Sequence, residues 1–317
     1  MDTFIFRTTG IKLGLILFLV CLALTGFGQD LPNVVLDEAW KSKIHQLAPE
    51  KASFPFSTKK KILVFSLHTG FDHWVIPHTE EMIKIISGKS GAFEVTGSKD
   101  ILMFEPENLK KYDAVVLNNT CSKTDHRNLF WDKLRADSDA DSIFLMQEAM
   151  ALENNLLEYV KSGGGLMIVH GGITTLNKSR AFSKLVGASF DYHPPQQAIQ
   201  VRLVDPAHPL VQSFPKEGFN HVDEPYFYSN AYADMNFRPL LYFNNAEISG
   251  QRENEVKTEG KTYLAWIRAE GKGKVMYCSP SHNAQSFENP DLLSFFLNGL
   301  QYVVGDVDCD DKPLRSF

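Results

Sequence analysis

The sequence predicts an α/β fold: a doubly wound, mainly parallel sheet with a β-rich elaboration. Three observations lead there. Short apolar runs without helical period recur at 62–67, 114–117 and 166–169, with a further short strand at 93–96. Between them lie stretches with helical apolar spacing and helix-end signals, the rhythm of a parallel sheet covered on both faces. Later segments alternate apolar and polar residues instead, as half-buried strands do.

Residues 1–28 read as an export segment. Arg7 and Lys12 precede an apolar run at 13–24, too short to span a bilayer comfortably, and Gly26 and Gly28 offer small residues before a cut at Gln29. Cys21 raises a lipid-anchored form, but Phe18-Leu19-Val20 lacks the small residue wanted before such a cysteine, so secretion to the periplasm ranks first. No other stretch predicts stable membrane insertion. Residues 29–60 read as a polar leader onto one large domain at 61–306, and 307–317 as a tail.

The first strand, 62–67, runs into "HTGFDHWVIPH" at 68–78. Pro77 fits a helix start, Glu80 and Glu81 suit its first turn, and Met82, Ile85 and Ile86 form its apolar stripe. After strands at 93–96 and 114–117, the polar residues 121–147 read as a loop insertion, with Asp137, Asp139 and Asp141 on alternate positions. Leu152, Leu156, Leu157 and Val160 make a helix that Gly163-Gly164-Gly165 ends. The strand 166–169 then stops at His170-Gly171-Gly172, and a helix is expected near 174–186. Residues 198–204 alternate, 264–267 and 275–278 form strands joined by Gly271-Lys272-Gly273, and Leu292, Phe295, Phe296, Leu300 and Val303 mark a closing helix.

Charge and motifs exclude several functions. The formal net charge is −6 without basic runs, which argues against nucleic acid. Past the leader, Cys121, Cys278 and Cys309 are odd in number and far apart, so no disulfide framework or cysteine zinc site is readable. The first strand leads into His68-Thr69-Gly70-Phe71, not a dinucleotide fingerprint, so no nucleotide is expected. Val169-His170-Gly171 holds neither serine nor cysteine where a hydrolase elbow would. Nothing fixes an oligomeric state.

Chemistry is expected beyond the carboxyl ends of the strands. His68 and His73 follow the first strand, His170 ends the fourth, and His282 follows the late one. Asp223, Glu224 and His193 lie on segments able to reach the same mouth, and Trp74 and Tyr226 offer sugar-stacking faces. Imidazole and carboxylate together serve either a divalent metal or acid–base catalysis. Each has a bland reading: His170 as a packed residue bonded to a carbonyl, Asp223 and Glu224 as a solvated pair. His45, His126 and His208 read as surface residues, and the spacing of His68, His73 and His78 puts them on no common helix face.

The segments "VFSLHTGFDHWVIP" (64–77), "YDAVVLNN" (112–119), "LLEYVKSGGGLMIVHGG" (156–172), "GASFDYHPP" (187–195), "HPLVQSFP" (208–215), "DEPYFY" (223–228) and 264–306 together resemble the ThuA-like family of trehalose-utilisation proteins. The resemblance implies a flavodoxin-like, class I glutamine amidotransferase-like fold without the catalytic cysteine, and a role in sugar catabolism tied to 3-keto glycosides. It also implies a strand-end site. His170, Asp223 and Glu224 would carry the chemistry, His193, Trp74 and Tyr226 would bind substrate, and His73, His170 and His282 would ligate zinc or a similar ion. Asp72 stands where the family commonly has arginine, and Ser281 where it often has glycine. Two functions follow: an exported enzyme cleaving keto-glycosides by metal-assisted or acid–base elimination or hydrolysis, and a non-catalytic periplasmic sugar-binding module. A cysteine amidotransferase ranks third.

Overall fold

The structure is a computed structural model that describes Met1, residues 30–252 and residues 260–314. All of the expected export segment except Met1 therefore lies outside the described residues, as does the end of the tail. In chain order the elements are α1 (Glu38–Leu47), β1 (Lys60–Phe65), α2 (Ile76–Ser90), β2 (Phe93–Ser98), α3 (Pro106–Leu109), β3 (Ala114–Asn118), α4 (Leu129–Asp137), α5 (Ser142–Lys161), β4 (Gly165–Val169), α6 (Arg180–Val186), β5 (Ser189–Tyr192), β6 (Gln197–Leu203), β7 (Phe219–Asp223), β8 (Phe227–Ser229), β9 (Arg238–Asn244), β10 (Lys261–Glu270), β11 (Gly273–Cys278) and α7 (Pro290–Val303).

One nine-stranded sheet has the order β2-β1-β3-β4-β11-β10-β9-β6-β7. The five strands from β2 to β11 pair in parallel, and the other four extend the sheet antiparallel. Side chains alternate across the parallel core. Ile62, Val64, Val116, Met167 and Val169 face α1, α2 and α7, while Leu63, Phe65, Val115, Leu117 and Ile168 face α4, α5 and α6. Both faces are covered, so these strands read as unbroken apolar runs and not as alternation.

The polar stretch 121–147 is not a loop insertion. It carries α4 and the first turn and a half of α5. Asn128 caps α4 by accepting from Trp131 N at 3.0 Å, and Asp141 caps α5 by accepting from Ile143 N at 2.8 Å. Only the first turn of α4 is buried, through Leu129, Phe130, Trp131 and Asp132; its charged later part turns to water and hides the helix in the composition. The helix expected near 174–186 is also shorter. A 3-10 turn occupies His170–Thr174, and α6 starts at Arg180 on a Ser179 cap. The leader contributes α1, whose Trp40 and Ile44 are buried in the core.

His208 is buried, against its surface reading. Its Nε2–H donates to the Asp310 carbonyl at 3.1 Å, and its Nδ1 accepts from Leu210 N at 3.4 Å. Burial lowers its pKa, outweighing the Asp310 carbonyl; Arg238 lowers it further, and Asp205 and Asp310 oppose. The neutral ring is therefore the folded form. The stability it contributes is present above the unfolded value of about 6.5 and is lost as pH falls below it. Acidification from about pH 7.5 to 5.5 is expected to speed amide exchange at Leu210 and through the tail it anchors, after correction for intrinsic rates. Exchange there that follows the rest of the protein would refute this.

Candidate metal centre

Four strand ends build the site. The loop after β1 brings His73 in just before α2, and its carbonyl accepts from Ile76 N at 3.1 Å. β4 delivers His170, β7 delivers Asp223 and Glu224, and the segment after β11 delivers His282.

His170 sits at φ 45 in the left-handed region, one of few non-glycine residues there. Such a backbone costs about 1–3 kcal/mol and persists where surroundings over-determine it. Both following glycines are explained by close approach. A Cβ on Gly171 would lie 2.6 Å from Cys121 Sγ and 2.8 Å from His73 Cε1, and one on Gly172 would lie 2.4 Å from the Leu117 carbonyl oxygen. The sharp strand-to-turn corner thus packs against β3 and presents an imidazole.

That imidazole is fully buried. Its Nδ1–H donates to the Ser279 carbonyl at 2.9 Å, which leaves Nε2 with a lone pair when the ring is neutral. Nε2 lies 3.3 Å from Glu224 Oε2 and 3.2 Å from His282 Nδ1, and His282 Nδ1 lies 3.2 Å from Glu224 Oε2. A tetrahedral ion with bonds of about 2.0–2.1 Å sets its ligand atoms about 3.3–3.4 Å apart. The three atoms form one face of such a tetrahedron. A His73 nitrogen joins them, all four donors lying within 4.8 Å of one another. This buried His/Glu cluster fits a metal in donor type, spacing and outer-shell support.

The electrostatics agree. Burial alone would raise Glu224, but hydrogen bonds from His170 and His282 hold it far below the usual carboxylate range. Burial would lower His282, yet its hydrogen bond with Glu224 outweighs this and raises it. Burial, then the neighbouring His170 and His282, push His73 well below its ordinary value.

Asp223 stands behind the donors. Its Oδ1 accepts from Glu224 N at 2.8 Å; its Oδ2 accepts from His221 Nε2 at 2.9 Å and from His282 N at 3.2 Å. Burial would raise its pKa, but the His221 hydrogen bond and the neighbouring histidines lower it. The carboxylate therefore orients two donor-bearing segments. The solvated-pair reading of Asp223 and Glu224 does not fit this burial.

In front of the cluster lies a cavity of about 260 Å³, lined among others by Phe71, Arg127, Phe190, His193, Glu224 and Tyr226. Tyr226 stacks over His193 at 5.5 Å and lies 4.4 Å from the His170 ring. His193 is exposed at the cavity mouth; its Nδ1 lies 2.9 Å from the Pro194 carbonyl and 3.6 Å from Glu224 Oε1. Trp74, expected to stack on sugar, is not among the lining residues. It packs edge-on against His78 at 5.3 Å and against the core, because α2 begins immediately after it and turns the ring inward. His68 pairs with Asp72 at 3.2 Å, and that carboxylate is mostly exposed, so neither belongs to the donor set.

Sequence reasoning did not single out Cys121, Arg127, Phe71, Phe190 or His221 for the site. His221 had a signal, since it stands two residues before Asp223 on one strand and so shares its face. Cys121 Sγ lies 3.6 Å from His73 Nδ1 and donates to the Gly171 carbonyl at 3.4 Å. Burial pushes its thiol up to about 12. It is a protonated thiol on the loop after β3, unsuited to amidotransferase nucleophilic chemistry.

The sequence model of the family described as ThuA, trehalose utilisation, matches residues 61–303. A solved ThuA-like protein from Bacteroides uniformis is similar over 79% of this chain and 94% of its own, with TM-score 0.58 and 16% identity. A ThuA-like protein from Parabacteroides merdae is similar over 82% and 95%, with TM-score 0.53 and 17% identity. At these identities the likeness is one of fold. No curated protein matches the chain in sequence.

Proposed function

The chain belongs to the ThuA trehalose-utilisation family, and from that premise we propose that it is exported to the periplasm and cleaves oxidised (3-keto) glycosides. The family places it in carbohydrate metabolism. The observation that carries the finer reading is the triangle of His170 Nε2, His282 Nδ1 and Glu224 Oε2, with edges of 3.2–3.3 Å, at the wall of a sugar-sized cavity. With His73 these residues would hold zinc or a similar ion. When bound, such an ion supplies Lewis-acid polarisation of a carbonyl oxygen.

The chain's own groups handle the proton. The C2 hydrogen of a 3-keto sugar is acidified by the adjacent carbonyl. With Nδ1–H given to the Pro194 carbonyl, His193 has a bare Nε2 able to accept that proton. The electron pair left on C2 forms an enolate, then expels the C1 oxygen substituent. The imidazolium returns its proton to that leaving oxygen. Water added across the new double bond completes net hydrolysis. Phe190 and Tyr226 cover the sugar faces and exclude solvent, and Asp223 keeps Glu224 and His282 aligned.

A second reading, a non-catalytic sugar-binding module, is favoured by the aromatic wall of Phe71, Phe190 and Tyr226. Zinc titration of the purified protein with a 3-keto-glycoside cleavage assay separates the two. The enzyme reading expects one equivalent bound and cleavage that stops on chelation and returns with zinc. Sugar binding without turnover selects the module. Cleavage undiminished in protein stripped of ions sinks the metal's role.

A further inference from the structure

We propose that the cavity takes a sugar ring bearing a carboxylate, and that Arg127 is the residue that selects it. The inference rests on the carbohydrate reading above and narrows its substrate class.

Arg127 lines the same cavity as Glu224 and His193. It is half-buried. Among the described residues its guanidinium has no hydrogen-bond or ion-pair partner. Every other described arginine that is half-buried or buried near an acid is paired, as Arg202 is with Glu247 at 2.7 Å and Arg238 with Asp205 at 3.1 Å. A guanidinium drawn partly out of water normally meets an anion. Here the open side is the cavity.

The segment that carries Arg127 is pinned. Asp132 Oδ2 accepts from Lys123 N at 2.8 Å and from Thr69 Oγ1 at 2.6 Å. Lys178 Nζ donates to the Asp125 carbonyl at 2.6 Å, and Arg127 N donates to the Lys123 carbonyl at 3.0 Å. Arg127 itself is held at φ 52, in the left-handed region. A guanidinium presented on a fixed loop loses less entropy when it binds.

Size and charge choose the ligand. About 260 Å³ is below the roughly 300 Å³ at which pockets for drug-sized ligands begin, so one sugar ring fills it. The acidic Asp72 is not among the residues lining the cavity and pairs with His68. Glu224 is committed to the histidines, which leaves Arg127 as the uncompensated charge. Its planar fork matches a carboxylate through two parallel N–H···O bonds.

Calorimetric titration of the zinc-supplemented protein with D-glucuronate, D-glucose and glucose 6-phosphate tests this. Glucuronate is expected to bind roughly tenfold or more tighter than glucose, as a charge-assisted pair implies. Arg127→Ala should erase that preference while changing glucose binding less than about twofold, and Arg127→Lys should keep part of it. Equal binding of acid and neutral sugar, absence of glucuronate binding, or equal losses for both in Arg127→Ala overturns the proposal. Glucose 6-phosphate binding above glucuronate overturns the carboxylate assignment. Zinc stoichiometry measured beforehand is independent of these outcomes. A protein that binds zinc yet ignores the acid group loses this inference and keeps the functional reading.

Discussion

Glu224→Gln is expected to lower divalent-metal affinity by more than about 100-fold and to abolish cleavage, with the fold intact. The substitution keeps shape and volume. It removes the only charged donor of the set, Oε2, which lies 3.2–3.3 Å from both imidazole nitrogens. Loss of an outer-shell partner costs about 10–100-fold, and a direct carboxylate donor should cost more. The amide can still hydrogen-bond His170 and His282, so the thermal midpoint without metal should shift little. Zinc competition titrations and circular dichroism read the two effects separately. A variant that binds zinc as the parent does would remove Glu224 from the centre.

Asp223→Ala is expected to be worse for the protein and milder at the site. This carboxylate is 2% exposed and accepts three hydrogen bonds, from His221 and from the backbones of Glu224 and His282. Truncation strands all three donors in a dry environment. Breaking a buried charged network in this way costs about 3–5 kcal/mol. Metal affinity should also fall by about 10–100-fold, because two donor-bearing segments lose their common anchor. Denaturant unfolding gives the first number and zinc titration the second. Near-parental stability would mean that the network does not hold the strand ends together. The pair of variants separates roles: Glu224 acts on the ligand, whereas Asp223 acts through other residues.

Much of this arrangement was legible beforehand, for a specific reason. A parallel strand buried on both faces must be written in apolar residues throughout, so β1, β3 and β4 stand out as unbroken runs. Parallel strands also end on the same side, so any residue written just after one of them is bound for a common rim. That rule picked His68, His73, His170 and His282 from ten histidines, and only the family resemblance narrowed the ligand set to His73, His170 and His282. It could not pick Trp74 correctly, because one turn of loop decides whether a ring faces the rim or the core. It could not see α4 and the start of α5, since an amphipathic helix at the surface is mostly polar and its caps resemble loop residues.

Sequence by itself determined the layered α/β plan and the strand ends where histidines gather, because burial and strand direction are properties of short segments. Only the tertiary structure decided that His170 Nε2, His282 Nδ1 and Glu224 Oε2 meet within bonding range of one point. It also decided that Asp223 braces them and that Arg127, from a polar loop, lines the same cavity as Glu224. Those relations join residues up to 112 positions apart. They are set by how helices and loops stack on the sheet, and no local pattern of residues encodes a distance between two distant side chains.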